Sequence, residues 1–149
     1  MATADDVFTS VRDWMAAWGR EVAAADLDAG RARFAADVIG FGTRARVARG
    51  LDSLFTEQWS QVWPAIEDFA FRLAELDVLA SPDGRLAVAV CEWDSTGVDS
   101  AGSRFPRPGR ATVVLRRADP SAPWQAVHTH FSIAGGAPAE SYGAGAAGH

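Results

Sequence analysis

Two imidazoles at i and i+2, His128 and His130, sit in the run Trp124-Gln125-Ala126-Val127-His128-Thr129-His130-Phe131-Ser132. On a strand such a pair shares one face and can hold a metal ion if further donors stand beside it. Pairing the run with the strands before it brings Ala89, Cys91, Trp93 and Trp124 to that face, which is one sulfur and little else. No metal site is therefore expected. Neither histidine has an orienting acid in the local sequence that would make a nucleophile triad with Ser132, and phosphate-cradling glycine motifs are absent. His128 and His130 read instead as hydrogen-bonded side chains on a sheet face buried between subunits, where protonation near neutral pH would alter the contact. The other face carries Val127, Thr129 and Phe131, and Leu86, Val88, Val90, Glu92 and Asp94 alternate in the same sense on a neighbouring strand.

The elements that position these residues follow from periodicity. Residues 109–117, a six-residue turn and the 124–132 run predict a terminal β-hairpin. A strand over 85–94 follows the turn Ser81-Pro82-Asp83-Gly84, and Phe69, Phe71 and Leu73 alternate as the strand before it. Three helices come first. Val7, Val11, Trp14, Trp18 and Val22 recur at helical spacing behind Asp5 and Asp6. A shorter helix fits 26–36 with Asp26 as N-cap. Leu51, Leu54, Phe55, Trp59, Val62 and Trp63 form an apolar stripe that starts at Gly50 and ends at Pro64. A short strand over 38–42 separates the second and third helices. The stretch 95–109, rich in Gly, Ser and Pro, predicts a long connection of the kind that serves at a pocket mouth. Trp14, Trp18, Trp59 and Trp63 fit two roles, core packing or stacking on a flat ligand from a cavity wall.

Length and composition bound the function. A chain of 149 residues predicts one domain over 1–134, followed by a disordered Gly/Ala-rich tail over 135–149. Cys91 is the only cysteine, which leaves no intramolecular disulfide and no thiolate metal cage. All fourteen basic residues are arginine, yet the net charge of -5 argues against a nucleic-acid partner. The N-terminus has no signal-peptide pattern, and no apolar run approaches the roughly 18 residues that cross a bilayer, so a soluble cytoplasmic protein with no membrane partner is expected.

Helices first and a curved antiparallel sheet after them is an α+β order. Three stretches carry a more specific likeness: Asp26-Leu27-Asp28 followed by Arg33-Phe34-Ala35-Ala36-Asp37-Val38, Gly50 leading the third helix, and Gly109-Arg110-Ala111-Thr112 paired with the 124–132 run. In this order they resemble the nuclear transport factor 2-like superfamily, specifically its SnoaL-like branch, over residues 5–134. The terminal strand is similar to that of the calcium/calmodulin-dependent kinase II association domain. The resemblance implies an α+β, cone-shaped, curved antiparallel sheet wrapped around N-terminal helices (NTF2-like, cystatin-like), with a cavity on the concave side and a dimer contact on the convex side. It implies a homodimer that binds a hydrophobic small molecule without a cofactor. If the protein is an enzyme, its chemistry would be isomerisation, cyclisation or dehydration by proton transfer; the alternative is a non-catalytic binding or oligomerisation module.

The catalytic residues of the ketosteroid isomerases in that superfamily do not carry over. Their tyrosine falls on Trp18, their base aspartate on Gly42, and their second aspartate within 112–114, where no carboxyl stands. The pocket arginines of the kinase association domain fall on Glu92, Thr112 and Phe131. Glu92 is thus the expected catalytic carboxyl, its pKa raised by desolvation among apolar walls unless Arg110 offsets it. Trp14, Trp18, Trp59, Val90, Thr112, Thr129 and Phe131 are the expected ligand-binding residues around it. The expected convex, subunit-facing set is Ala87, Ala89, Cys91, Trp93, Trp124, His128 and His130.

Overall fold

A computed structural model describes residues 3–135 of the chain. Helix α1, Ala4–Ala23, opens on a capping box in which Thr3 Oγ1 accepts from the Asp6 amide at 3.1 Å and the Asp6 carboxylate accepts from the Thr3 amide at 3.2 Å. Two N–H groups that the first helical turn leaves open are thereby satisfied. Val7, Val11, Trp14, Met15, Trp18 and Val22 make its buried face. Helix α2, Leu27–Arg31, is shorter than its sequence suggests, because from Phe34 the chain pairs as a strand with the C-terminal segment.

The apolar stripe from Gly50 to Pro64 is not one regular helix. An α-helical turn α3, Leu51–Leu54, runs into a π-helical turn over Phe55–Trp59, a short α4, Ser60–Val62, and a 3₁₀ turn over Trp63–Ala65 that contains Pro64. A π turn holds one residue more than an α turn. The adjacent residues Gln58 and Trp59 both point inward as a result, with 7% and 3% of their surface exposed.

Eight strands form one curved, unclosed sheet. They are β1 Phe34–Phe41, β2 Ala48–Arg49, β3 Ile66–Phe71, β4 Asp77–Ala80, β5 Leu86–Val98, β6 Arg104–Pro106, β7 Gly109–Arg116 and β8 Gln125–Ile133. The order is β2-β1-β8-β7-β5-β3, with β4 and β6 also on β5, and every pairing is antiparallel except β1 with β8, which is parallel. β5 runs to Val98, so the connection expected over 95–109 is mostly strand, with a tight turn held by the Asp99 carboxylate at the Ala101 and Ser103 amides. In β3 a bulge at Asp68, where φ is 55°, lets Ile66, Phe69 and Phe71 all face the core.

The register settles which residues share a face. Cross-strand partners lie on the same side of a sheet, and Cys91 stands opposite Ala111, which stands opposite Phe131; Ala89, Val113 and Thr129 form the next such row. This face meets the helices. Ala87, Ala89, Cys91 and Trp93 are therefore core residues, each no more than 3% exposed, and not the convex set expected from sequence. Leu86, Val90 and Glu92 lie on the outer face, in rows with Arg116, Thr112 and Arg110, while His128 and His130 occupy that outer face on β8. The inversion has a physical cause. Both faces of β5 are apolar, and Val88 and Val90 are the bulkier pair, but Trp14, Trp18 and Phe71 already fill the space beneath the sheet and leave room only for small residues over 87–91, Trp93 being admitted opposite Gly109. Trp124 is also interior, 5% exposed, because a bulge at the start of β8 turns it toward α1, where its Nε1 donates to Ser10 Oγ at 2.9 Å. Of the tail expected over 135–149, residues 136–149 lie outside the described residues.

This assignment of faces separates two neighbouring substitutions. Ala89→Glu, which buries a charge under the helices, is expected to cost on the order of 3–5 kcal/mol, whereas Leu79→Glu, 65% exposed on β4 opposite Val88, should change stability by less than about 1 kcal/mol. Urea melts of the two variants beside the wild type check the difference.

Candidate functional site

Between the inner face of the sheet and the third helical segment lies a small cavity of about 30 Å³, enough for one or two water molecules. Its walls are mainly aromatic: Trp18 from α1, Trp59 and Trp63 from the third segment, Phe69 and Trp93 from β3 and β5, and Phe131 from β8. Trp59 and Trp63 stack at 4.6 Å, and the other rings meet edge-on or tilted, with Trp18 and Phe131 centroids 5.5 Å apart at 86° and Trp93 and Phe131 6.0 Å apart. Gly109 makes one of these placements possible. It stands opposite Trp93 in the ladder, and a Cβ there would overlap the indole ring.

Beside Thr129, the polar side chains of the cavity come from residues that the sequence did not single out. Arg107, between Pro106 and Pro108, is 1% exposed; its Nη2 donates to Thr43 Oγ1 at 3.0 Å, its Nη1 lies 3.3 Å from Ser95 Oγ, and its guanidinium carbon sits 5.3 Å from the Trp93 ring centroid. Ser95 Oγ in turn donates to the Arg107 carbonyl at 2.8 Å, so the arginine is pinned at both its backbone and its head. Gln58 is the second such residue. Its Oε1 accepts from the amides of Arg44 and Ala45 at 2.9 and 2.8 Å, and its Nε2 donates to Thr43 Oγ1 at 2.9 Å, which fixes the turn after β1 against the helix. Trp18 and Trp93 carry indole N–H groups that are buried and find no acceptor among the described residues. The available signals were a polar residue on an apolar helical stripe, Gln58, and an arginine held between two prolines, whose backbone is stiff.

Glu92 does not line this cavity. Its side chain is 57% exposed on the outer face, where Arg72 Nη1 donates to it at 2.6 Å while the same guanidinium grips Asp94 through Nε and Nη2, both at 2.8 Å. Those hydrogen bonds from Arg72 hold the Asp94 carboxyl below its ordinary range. Val90 and Thr112 line a shallow depression on the same outer face, together with Arg110, His130 and Ser132. The reason is the register already described, since Val90, Thr112 and His130 form one cross-strand row. Trp14 is interior but packs against Trp18 and Phe34, away from the cavity. Trp18, Trp59, Thr129 and Phe131 do line it. Cys91 is inert chemically, since burial pushes its thiol up to about 11. No group of three or more His, Cys, Asp or Glu suited to a metal ion occurs among the described residues. None of their helices is long and apolar enough to cross a membrane.

Helices packed against a curved, mostly antiparallel sheet are the architecture of known relatives. Residues 11–135 match the SnoaL-like domain, and the chain belongs to that family. Among solved structures it is similar to a nuclear transport factor 2-like superfamily protein from Salmonella enterica serovar Typhimurium, at 19% identity over 94% of this chain and 100% of that one, with a TM-score of 0.75. A ketosteroid isomerase-like protein from Erwinia carotovora atroseptica is 21% identical over 82% of this chain and 90% of that one, with a TM-score of 0.67. An NTF2-like protein with a cystatin-like fold from Novosphingobium aromaticivorans is 18% identical over 94% and 96% of the two chains, with a TM-score of 0.63. No curated protein matches the chain.

The role of Gln58 as the clamp of the 43–45 turn is open to test. Gln58→Leu keeps the volume but leaves the Arg44 and Ala45 amides without their acceptor, at an expected cost of about 1–3 kcal/mol. Amide hydrogen exchange should accelerate at Ala45 and leave Val113, in the centre of the sheet, protected.

Proposed function

We propose that this SnoaL-like protein is a small-molecule pocket protein whose site is the cavity of Trp18, Trp59, Trp93, Thr129 and Phe131. One observation carries the reading: two of the tryptophans that line the cavity, Trp18 and Trp93, have buried indole N–H groups with no acceptor among the described residues. Buried donors normally find partners, and a ligand acceptor in the cavity would supply one. Trp14 shares the same deficit away from the cavity, so it is the conjunction with a lined void that argues for a ligand. The walls favour a compact, flat, hydrophobic molecule. The void is small, and entry requires a wall to yield; the π-helical turn over Phe55–Trp59 is the irregular element in it.

Proton transfer through Glu92 has no support in this geometry, because the carboxylate is on the other face of the sheet. Among the described residues, those lining the cavity include no Asp, Glu or His. The binding function is thus better supported than isomerisation, cyclisation or dehydration by a protein acid or base.

Six indole N–H signals offer a direct assay in ¹⁵N-labelled protein. Titration with small aromatic fragments should shift the Trp18 and Trp93 indole resonances and leave that of Trp124, which donates to Ser10, in place. Shifts confined to surface residues would remove the cavity as the site.

Assembly is a second, separable part of the reading. The outer face exposes Ile39, Phe41, Leu86 and Val90 beside His128 and His130, with the Phe41 ring edge-on to both imidazoles at 5.4 and 5.1 Å. An apolar strip of this kind suits burial against a second copy of the chain, so a homodimer through this face is expected. Native mass spectrometry at micromolar concentration should give a dimer for the wild type and a monomer for Val90→Glu; a monomeric wild type would end the idea.

A further inference from the structure

We infer that two copies of the chain pair their outer faces about a two-fold axis that runs along the strands between β5 and β7, and that protonation of His130 tightens the pair. The inference rests on the homodimer reading above and supplies its orientation and its regulation. Charge on the outer face is divided lengthwise. Arg110 on β7 and His130 on β8 stand on one side of a shallow depression, and Glu75, Asp77 and Glu92 stand on the other. The midline is uncharged, built from the cross-strand pairs Val88 with Val114 and Val90 with Thr112. A two-fold contact sets residue i against j and j against i. The axis named here lays β7 over β5 and β8 over β4 and keeps each cross-strand row in line. One row runs Ser132, Arg110, Glu92, and the next runs His130, Thr112, Val90, Asp77. Arg110 therefore meets Glu92 of the partner subunit, His130 meets the partner's Asp77, and the midline residues close the centre. An axis laid across the strands would instead set arginine over arginine and carboxylate over carboxylate, which like-charge repulsion disfavours. Charge complementarity thus selects a second copy in one orientation.

The proton linkage follows from the charges around His130. On its own side of the sheet cations prevail: Arg110 stands one row away on β7, Arg49 lies opposite Ile39 on β2, and Arg44 and Arg46 are exposed in the turn after β1. Asp37, exposed on β1, is the carboxylate on that side, and the others lie across the depression. Arg72 grips Glu92 and Asp94 there but not Asp77. A second copy sets the partner's Asp77 opposite His130, so the dimer favours the imidazolium more than the free subunit does. Histidine changes charge between pH 5 and 8. A group that takes up a proton on pairing stabilises the pair as the pH falls and loses that contribution as it rises. His128 serves as the control. Its Nδ1 donates to the Ile39 carbonyl at 2.7 Å, and it occupies the row of Val114 and Val88, which holds no carboxylate.

Sedimentation equilibrium of the full-length protein gives the dimer dissociation constant at pH 8, 7 and 6, a range in which carboxylates stay ionised. The constant should fall roughly threefold or more from pH 8 to pH 6, as two added exposed ion pairs permit. His130→Gln should abolish that fall, and His128→Gln should keep it. Two charge reversals test the orientation. Arg110→Glu and Glu92→Arg should each dimerise roughly tenfold or more weakly than the wild type, because each sets like charges opposite one another. An equimolar mixture of the two should recover the dimer as a heterodimer in which both contacts are again of opposite charge. A mixture that stays dissociated, a wild-type constant that does not change with pH, or a His130→Gln variant that tightens like the wild type overturns the inference and leaves the homodimer reading standing. A wild type that is monomeric at every pH removes both. Should the charge reversals fail to fold, the pH series of the wild type beside His130→Gln still decides.

Discussion

The size complementarity between the helices and the inner face of the sheet governs this molecule. Tryptophans on α1 and on the third helical segment project toward the strands, and the rows that receive them are built from Ala87, Ala89, Cys91, Ala111 and Ala126. Interiors pack near crystal density, so bulk on one layer obliges smallness on the other. Trp93 is the exception on β5, and it is accommodated only because its cross-strand partner is Gly109. Close contact along α1 and a residual void at the Trp93 end follow from the same arrangement: small residues let the helix approach, while large rings meeting edge-on leave a gap that no side chain fills.

Polarity is distributed around that gap in an economical way. Thr43 Oγ1 accepts from both Gln58 and Arg107, and so joins the turn after β1, the π-helical turn and the strand connection at Arg107 in one hydrogen-bonded unit. A guanidinium that is 1% exposed is otherwise costly to keep charged, and the hydroxyls of Thr43 and Ser95 together with the Trp93 ring reduce that cost. The carboxylates on this side of the molecule are instead gathered on the outer face of β5, where Glu92 and Asp94 share Arg72 in partial contact with water. Such exposed pairs contribute little stability. The sheet therefore separates the charges: an arginine inside, an arginine-bridged acidic pair outside.

The order of elements, the helical faces of α1 and the third segment, and the terminal hairpin are legible in the sequence because each rests on local periodicity. Val7 to Val22 repeat as a helix must if one side is buried, and the Thr112 and Thr129 strands alternate as a sheet must. The family is legible for the same reason, since the likeness lies in the spacing of turns and strands. On β8, Thr129 and Phe131 face inward and His130 outward, in line with the alternation of that run. Which face of β5 is buried was not available locally. Val88 and Val90 alternate with Ala87 and Ala89, both sets are apolar, and a shift of one residue exchanges them.

Sequence alone thus determined what a few consecutive residues decide by themselves: helix or strand along most of the chain, and the α+β order that marks the family. Only the tertiary structure decided the site. The choice between alanine and valine inward depends on tryptophans more than sixty residues distant along the chain, and hydrophobicity does not encode volume. The π-helical turn that brings Gln58 inward depends on the partners waiting in the 43–45 turn. Arg107 becomes a cavity residue because β5 extends to Val98 and folds back through β6, carrying Pro106-Arg107-Pro108 beneath Trp93. These are relations between distant segments, fixed by packing, and no local pattern contains them.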